Sequence, residues 1–446
     1  MRRQPPLGLY VHIPFCTAKC RYCDFNSYAG QEHLIPGYTQ ALLREADIWS
    51  AACAGWRADT LFFGGGTPSL MPLAEMERLL DGLRHHFQVA ADAEITLEAN
   101  PGTVDEAYLS RLWEMGVNRL SLGVQSFRDD ELTFLGRIHS ARGAREAYRA
   151  ARSAGFENVG LDLIFGLPGQ TVDRWLESLE EAIDLGPEHL SLYALTVEDG
   201  TPLGDDVALG RTPATDPDLQ AELYSRAAER LEPAGYDHYE ISNWARPGYQ
   251  CRHNLTYWRN GFWLGLGAGA HSHLPGNEES ETGNWELGTG NSVLAGNKQQ
   301  GTSNSAAVPM FHCPTGPCYR FAAEASPGRY VELVNETWER WRQEGGLPLE
   351  AMRQVTFREE SGPSLELSDT LELGLRLSEG VSLRDLRRRF GQAAVERHTA
   401  AFDEAASLGL LEPASPAGRR AGGRLRLTAR GRLLANEVFV RLLPGS

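Results

Sequence analysis

Six times between residues 9 and 233 this sequence repeats one pattern: a short apolar, β-branched run stops at a polar or glycine-rich turn and gives way to a longer segment of helical period. The runs are LYVHI (9–13), DTLFF (59–63), EITLEA (94–99), NRLSLGV (118–124), NVGLDLIF (158–165) and HLSLYAL (189–195). Helical segments are predicted near 37–52, 72–88, 105–115, 140–154, 171–185 and 217–233, several of them opened by Thr, Pro or Asp. Nearly continuous apolar strands separated by helices imply a parallel sheet with its outer face covered, because right-handed crossovers place each helix on that side. The expected class is α/β, a partial (β/α)6 barrel, with function concentrated where the strands end.

A chain of 446 residues exceeds one such unit, so a further domain is expected. Residues 1–235 read as the barrel and 236–275 as its extension. Residues 276–318, rich in Gly, Asn, Ser, Gln and Glu with no apolar period, read as a low-complexity insertion that forms no packed core. Residues 319–446 read as a mostly helical, winged-helix-like domain. The formal charge of -16 disfavours non-specific nucleic-acid binding. The start, MRRQPPLGLYVHIPF, carries no apolar signal region, and no run approaches the length of a membrane span, so the expectation is a cytoplasmic protein without a transmembrane segment.

Three of the seven cysteines, Cys16, Cys20 and Cys23, crowd into eight positions just after the first strand. A tight cluster of thiols points to metal or redox chemistry rather than a disulfide framework. Zinc would want a fourth Cys or His, usually as two pairs of ligands, and no partner pair is at hand. Three thiolates on a single loop suit a [4Fe-4S] cluster that keeps one iron open. That iron can chelate the amino and carboxylate groups of S-adenosylmethionine.

The segment YVHIPFCTAKCRYCDF resembles the radical-SAM superfamily, in the branch of the oxygen-independent coproporphyrinogen III dehydrogenases and the haem chaperones. Gly64-Gly65-Gly66-Thr67-Pro68 follows the second strand, where glycines let backbone N–H groups approach a ligand, although a glycine triplet alone is more often a plain turn. Glu98, Gln125, Arg137 and Asp162 stand at or just after strand ends, where a buried carboxylate needs a partner. The bland alternative is an internal Glu98–Arg137 ion pair. The resemblance carries these four residues, with Tyr10, Tyr22, Gly65, Gly66, Thr67 and Ala194, onto the S-adenosylmethionine site.

Two departures separate the chain from the dehydrogenase pattern: Phe25 stands where that pattern has a further cysteine, and only nine residues precede Tyr10. Arg252-His253-Asn254-Leu255-Thr256-Tyr257-Trp258 resembles the HNxxYW motif of the haem chaperones. It makes His253 the expected haem ligand, with Tyr257 and Trp258 offering flat faces, against the alternative of a hydrogen-bonded core histidine. His12 and His271 are expected to serve structural hydrogen bonding. Cys313 and Cys318 read as an incidental exposed pair, and the arginines at 419, 420, 424, 426, 430 and 432 as a solvated face. The resemblance implies a haem chaperone, with haem, haem-acceptor proteins and an electron donor as partners. The alternatives are an oxygen-independent porphyrinogen dehydrogenase or other porphyrin-modifying radical-SAM enzyme and, more remotely, a redox-sensing regulator.

Overall fold

The protein is described here by a computed structural model covering residues 6–276, 318–412 and 423–443. Strand β1 (Leu7–Ile13) is followed by a short parallel pair, β2 (Phe15–Cys16) and β3 (Tyr28–Ala29). Then come β4 (Arg57–Gly65), β5 (Gln88–Ala99), β6 (Arg119–Gln125), β7 (Val159–Phe165) and β8 (His189–Ala194). Strands β1, β4, β5, β6, β7 and β8 lie side by side in that order and all parallel, as the six apolar runs predict.

Helices α1 (Ile35–Ala52), α2 (Leu73–His86), α3 (Glu106–Glu114), α4 (Asp129–Leu135), α5 (Ala141–Ser153), α6 (Val172–Leu185), α7 (Pro202–Ala208) and α8 (Pro217–Leu231) accompany them. Asp105, Ser140, Thr171 and Asp216 cap α3, α5, α6 and α8 by accepting from backbone N–H groups of the first turn. The two-residue period of β1 sends Leu7, Leu9, Val11 and Ile13 into the fully buried core under the helices. It leaves Gly8, Tyr10 and His12 for the inner face.

The sheet is wider than the six runs predict, with twelve strands among the described residues. Beyond β8 it continues antiparallel through β10 (Asn243–Ala245) to β9 (Asp237–Glu240). The chain then crosses to the opposite edge through helix α9 (Arg252–Trp258), and β11 (Phe262–Leu266) joins β1 in parallel. Antiparallel strands β12 (His271–Pro275), β13 (Cys318–Ala323) and β14 (Val355–Ser361) complete that edge. Among them β11, FWLGL, is an apolar run as long as LYVHI that follows no helix of the repeating pattern, while β9, β10 and β12 are short or polar.

Pairing of Pro275 with Cys318 brings together the two ends of the segment between them, 277–317, which lies outside the described residues with Cys313. Cys318 itself does not fit an exposed incidental pair: it is fully buried at the start of β13. Helix α10 (Pro327–Glu344) packs through Tyr330 and Val334 into the barrel core. A second core begins at Leu367, in α11 (Pro363–Arg376), and gathers α12 (Leu383–Phe390), α13 (Gln392–Glu396) and α14 (Thr399–Ser407). A short ladder of β15 (Val381–Ser382) with β16 (Arg424–Leu425) completes a winged-helix-like arrangement. Arg419 and Arg420 lie outside the described residues, whereas Arg424 and Arg426 both donate to the Glu379 carbonyl within this domain.

Candidate functional site

The β2–β3 pair closes a loop that carries all three clustered cysteines, and the Tyr28 N–H donates to the Pro14 carbonyl across its base at 2.7 Å. Its middle is clamped by two helices absent from the sequence reading. The Arg21 N–H donates to the Leu135 carbonyl at the end of α4, the Arg21 carbonyl accepts from Leu203 N–H in α7, and the guanidinium pairs with Asp206. Cys16, Cys20 and Cys23 line one cavity of about 490 Å3, and none of them is in a disulfide. Thr67 Oγ1 donates to Cys16 Sγ at 3.5 Å and Arg137 Nη1 to Cys20 Sγ at 3.4 Å, while Ser27 Oγ lies 3.9 Å from Cys23 Sγ. Groups bonded to the sulfurs in this way fix their orientation towards the cavity.

The wall facing this loop is built by backbone that only small residues permit. Gly65 has φ of +114°, and a Cβ on Gly66 would sit 2.7 Å from the Phe15 carbonyl oxygen and 3.0 Å from Cys16 Sγ. These residues therefore leave space beside the thiols that any side chain would fill, as a bulky cofactor held by three sulfurs requires. Gln125 ends β6 at φ of 65°, an uncommon conformation for a non-glycine residue and one concentrated at ligand sites.

Tyr22, Gly65, Gly66, Thr67, Glu98, Gln125, Arg137, Asp162 and Ala194 line the same cavity as the cysteines. Tyr10 does not: it sits behind Gly64, bonds His12 Nδ1 through its hydroxyl at 2.9 Å, and faces a neighbouring cavity that shares Gly65, Glu98 and Phe25 with the first.

The alternative Glu98–Arg137 ion pair is not formed. Arg137 donates to the Gly123 carbonyl at 2.7 Å as well as to Cys20, and Glu98 Oε2 accepts from Gly65 N–H at 3.1 Å. Ser121 Oγ lies 3.1 Å from each Asp162 carboxylate oxygen. Burial, and then the nearby Asp162 carboxylate, push Glu98 up to about 8, and burial also raises Asp162. Two carboxylates held this way in an open pocket are poised for hydrogen-bond donors or a cation on a ligand.

A carboxyl group whose folded pKa is raised destabilises the fold as pH climbs from its unfolded value to its folded one. Glu98→Gln is therefore expected to melt higher than the parent at pH 7, by roughly 2 kcal/mol in the ligand-free protein. The gap should vanish near pH 4 and stop growing above pH 8, which thermal unfolding across pH would reveal.

Sequence reasoning missed the floor of the cavity, where Arg119, Ser121, His189, Ser191 and Asn254 also face it. Stepping back by twos from Gly123 would have found Ser121 and Arg119. Arg119 is 1% exposed, and among the described residues its Nε and Nη1 have no hydrogen-bond partner.

His253 is where the structure departs most from expectation. Helix α9 crosses the amino ends of the strands, and Glu94, at the start of the inward-facing positions of β5, accepts from the N–H groups of Arg252 and His253, both at 3.0 Å. The His253 side chain is fully buried, with Nδ1 2.7 Å from Thr60 Oγ1 and Nε2 2.7 Å from the Tyr257 hydroxyl. Phe62 stacks on the ring at 5.1 Å, and burial followed by the Arg119 charge lowers its pKa to about 3. A neutral imidazole with both nitrogens occupied has no lone pair to offer iron, so the arrangement favours the hydrogen-bonded core histidine over the ligand. His253→Ala is expected to cost about 2–4 kcal/mol, through a cavity and the lost partners of the Thr60 and Tyr257 hydroxyls. Chemical denaturation would measure that loss.

The other two histidines divide. His12 bonds Tyr10 through Nδ1 and the Asn26 carbonyl through Nε2, the structural role expected of it. His271 is exposed, and no hydrogen bond of its ring is found among the described residues.

Comparison with known proteins places these features in context. The radical SAM superfamily model matches residues 10–182, and the HemN C-terminal domain model matches residues 366–434. The chain is 34% identical over 441 residues to heme chaperone HemW of Mycobacterium tuberculosis, covering 98% of this chain and 95% of that protein. It is 32% identical to heme chaperone HemW of Bacillus subtilis over 96% of this chain and 97% of the relative. Heme chaperone HemW of Escherichia coli is 46% identical over 277 residues, 61% of this chain and 72% of its own length. The solved structure of coproporphyrinogen III oxidase (HemN) from Escherichia coli, a radical SAM enzyme, superposes with a TM-score of 0.73 at 21% identity, covering 99% of this chain and 90% of that one. That likeness establishes the fold.

Proposed function

Since the chain belongs to the heme chaperone HemW family of radical SAM proteins, we propose that it is a haem chaperone, one that holds a [4Fe-4S] cluster and S-adenosylmethionine, binds haem and passes it to acceptor proteins. The observation that carries the cofactor half of this reading is the convergence of Cys16, Cys20 and Cys23 on one cavity that Gly65, Glu98, Gln125, Arg137 and Asp162 also line. When bound, the cluster and S-adenosylmethionine supply one-electron chemistry at a sulfonium.

The chain's own residues do the binding and orienting. The three thiolates hold the cluster, with Thr67 and Arg137 donating to sulfur. Glu98 and Asp162 accept from amino and hydroxyl groups, while Arg137 and Gln125 answer a carboxylate. The clamp of Arg21 between α4 and α7 fixes the loop, so the cavity is organised before ligand arrives.

Phe25 supports a chaperone over a porphyrinogen dehydrogenase. It is 65% exposed at the cavity mouth, where the dehydrogenase pattern has a further thiol. The test is anaerobic reconstitution followed by titration with haem at the Soret band, and in parallel incubation with coproporphyrinogen, S-adenosylmethionine and a reductant. Stoichiometric haem binding without decarboxylation is expected. Robust conversion of coproporphyrinogen would move the chain to the enzyme reading, and failure to take up haem would end the chaperone one.

A further inference from the structure

We infer that haem is held in the cavity beside the cluster site, between Trp258, Trp263 and Phe25, with His271 rather than His253 as its axial ligand. The inference rests on the haem-chaperone reading and locates the cargo that reading requires. The cavity measures about 560 Å3 and lies on the inner face of β1, β11 and β12, with Leu373 of α11 lining it from the second core. Its walls are rich in aromatic side chains: Tyr10, Tyr257, Trp258, Trp263 and Phe25 all contribute. Flat apolar faces on several sides suit a rigid macrocycle, whose burial supplies most of the binding free energy.

These walls are held in place. The Trp263 indole N–H donates to the His271 carbonyl at 3.0 Å, and the ring meets Tyr257 edge to face at 4.8 Å. Trp258 carries the Arg376 guanidinium over its outer face at 4.5 Å. Phe25, by contrast, stands 65% exposed at the opening, an arrangement that costs free energy unless something apolar covers it.

Three histidines border this region, and hydrogen bonding sorts them. His12 and His253 have both ring nitrogens engaged, and both are buried. His271 lines the cavity, is exposed, and shows no ring hydrogen bond among the described residues, so its imidazole has a lone pair available to iron. The HNxxYW segment still matters in this arrangement, since its Tyr257 and Trp258 form the wall while its histidine anchors the helix that presents them.

The site also explains why cargo and cluster share one protein. Gly65, Glu98 and Phe25 border both cavities, so a macrocycle in the second abuts the cofactor pocket in the first. Occupancy of either can therefore bear on the other through shared walls.

The test is a haem titration of the full chain, wild type against His271→Ala, Trp263→Leu and His253→Gln, read by Soret position, by the ferric EPR spectrum and by affinity. Circular dichroism and melting curves check that each variant folds. His271→Ala is expected to shift the Soret band, to lose the EPR spectrum of imidazole-ligated ferric haem and to lose at least about tenfold in affinity, and added imidazole to restore an imidazole-ligated spectrum. Trp263→Leu should keep the spectrum and weaken binding, and folded His253→Gln should keep the wild-type spectrum. If wild type binds haem and His271→Ala is spectrally unchanged, this ligand assignment falls while the chaperone reading stands. Loss of the imidazole-ligated spectrum only in His253→Gln would likewise overturn it in favour of His253. If wild type takes up no haem, both fall together.

Discussion

Anaerobically reconstituted Cys20→Ala is expected to lose nearly all bound iron and sulfide, together with the broad visible absorption of the cluster, while folding as well as the parent. The loss follows from ligand arithmetic. A cluster held by three thiolates and open at one iron has no spare protein ligand, and two remaining sulfurs do not retain it. Preservation of the fold follows from position, since Cys20 is only partly buried and, among the described residues, its side chain accepts one hydrogen bond, from Arg137 Nη1. Denaturation of the metal-free proteins should thus differ by less than about 0.5 kcal/mol. Cys16→Ala should lose the cluster equally but melt lower, because Cys16 is 8% exposed and packs between Thr67 and Gly66. Stoichiometric zinc in the parent, with no uptake of iron and sulfide, would remove the basis of the cofactor site.

Glu366→Ala is expected to destabilise the protein by about 3–5 kcal/mol, the largest stability effect of any single substitution considered. Glu366 is 2% exposed near the start of α11, where the second core meets the sheet edge. Its Oε1 accepts from His273 Nε2 at 3.2 Å and Arg320 Nη2 at 3.4 Å. Its Oε2 accepts from Asn260 Nδ2 at 3.0 Å and Arg389 Nη2 at 3.2 Å. Removing the carboxylate leaves the buried Arg389 guanidinium, His273 imidazole and Asn260 amide short of a partner, while Arg320 keeps Asp369.

Burial alone would raise the pKa of Glu366. The His273 hydrogen bond and charge, with Arg320, outweigh it and hold the group at about 2. A depressed carboxylate stabilises the folded state above its unfolded pKa, so this contribution is complete above about pH 4.5 and is lost as pH falls towards 2. The wild type should therefore show a steep acid transition in that window that Glu366→Ala lacks. Because α11 also lends Leu373 to the aromatic cavity, the variant should weaken haem binding as well, in proportion to local opening of this junction.

Much of this was legible in the residues themselves. All six parallel strands could be read, and the helices fall within two residues of the periodic segments at most ends, because apolar period and capping chemistry are local. The cysteine loop was equally plain, since ligand spacing on a short loop is a matter of covalent distance. Of the predicted ligand residues, Glu98, Gln125, Arg137 and Asp162 do converge on the cavity with the cysteines, and Tyr10 faces the adjoining one.

What sequence could not supply was the closure of the sheet. Strands β9 to β14 are short, polar or split by a long insertion, and their pairing depends on partners far away in the chain. The same distance governs His253 and His271. One lies in a motif that suggests a ligand, the other in a glycine-rich turn that suggests structure, and their neighbours leave the first buried and hydrogen-bonded and the second exposed. Thr60 lies 193 residues from His253 along the chain and satisfies its imidazole. Local chemistry thus determined the barrel, its helices and the trio of thiols, since period, capping and ligand spacing act within a few residues. Only the tertiary structure decided which histidine has its ring nitrogens engaged, which carboxylates are desolvated and where an aromatic cavity opens, because each of those depends on groups far apart in the chain that the sheet brings side by side.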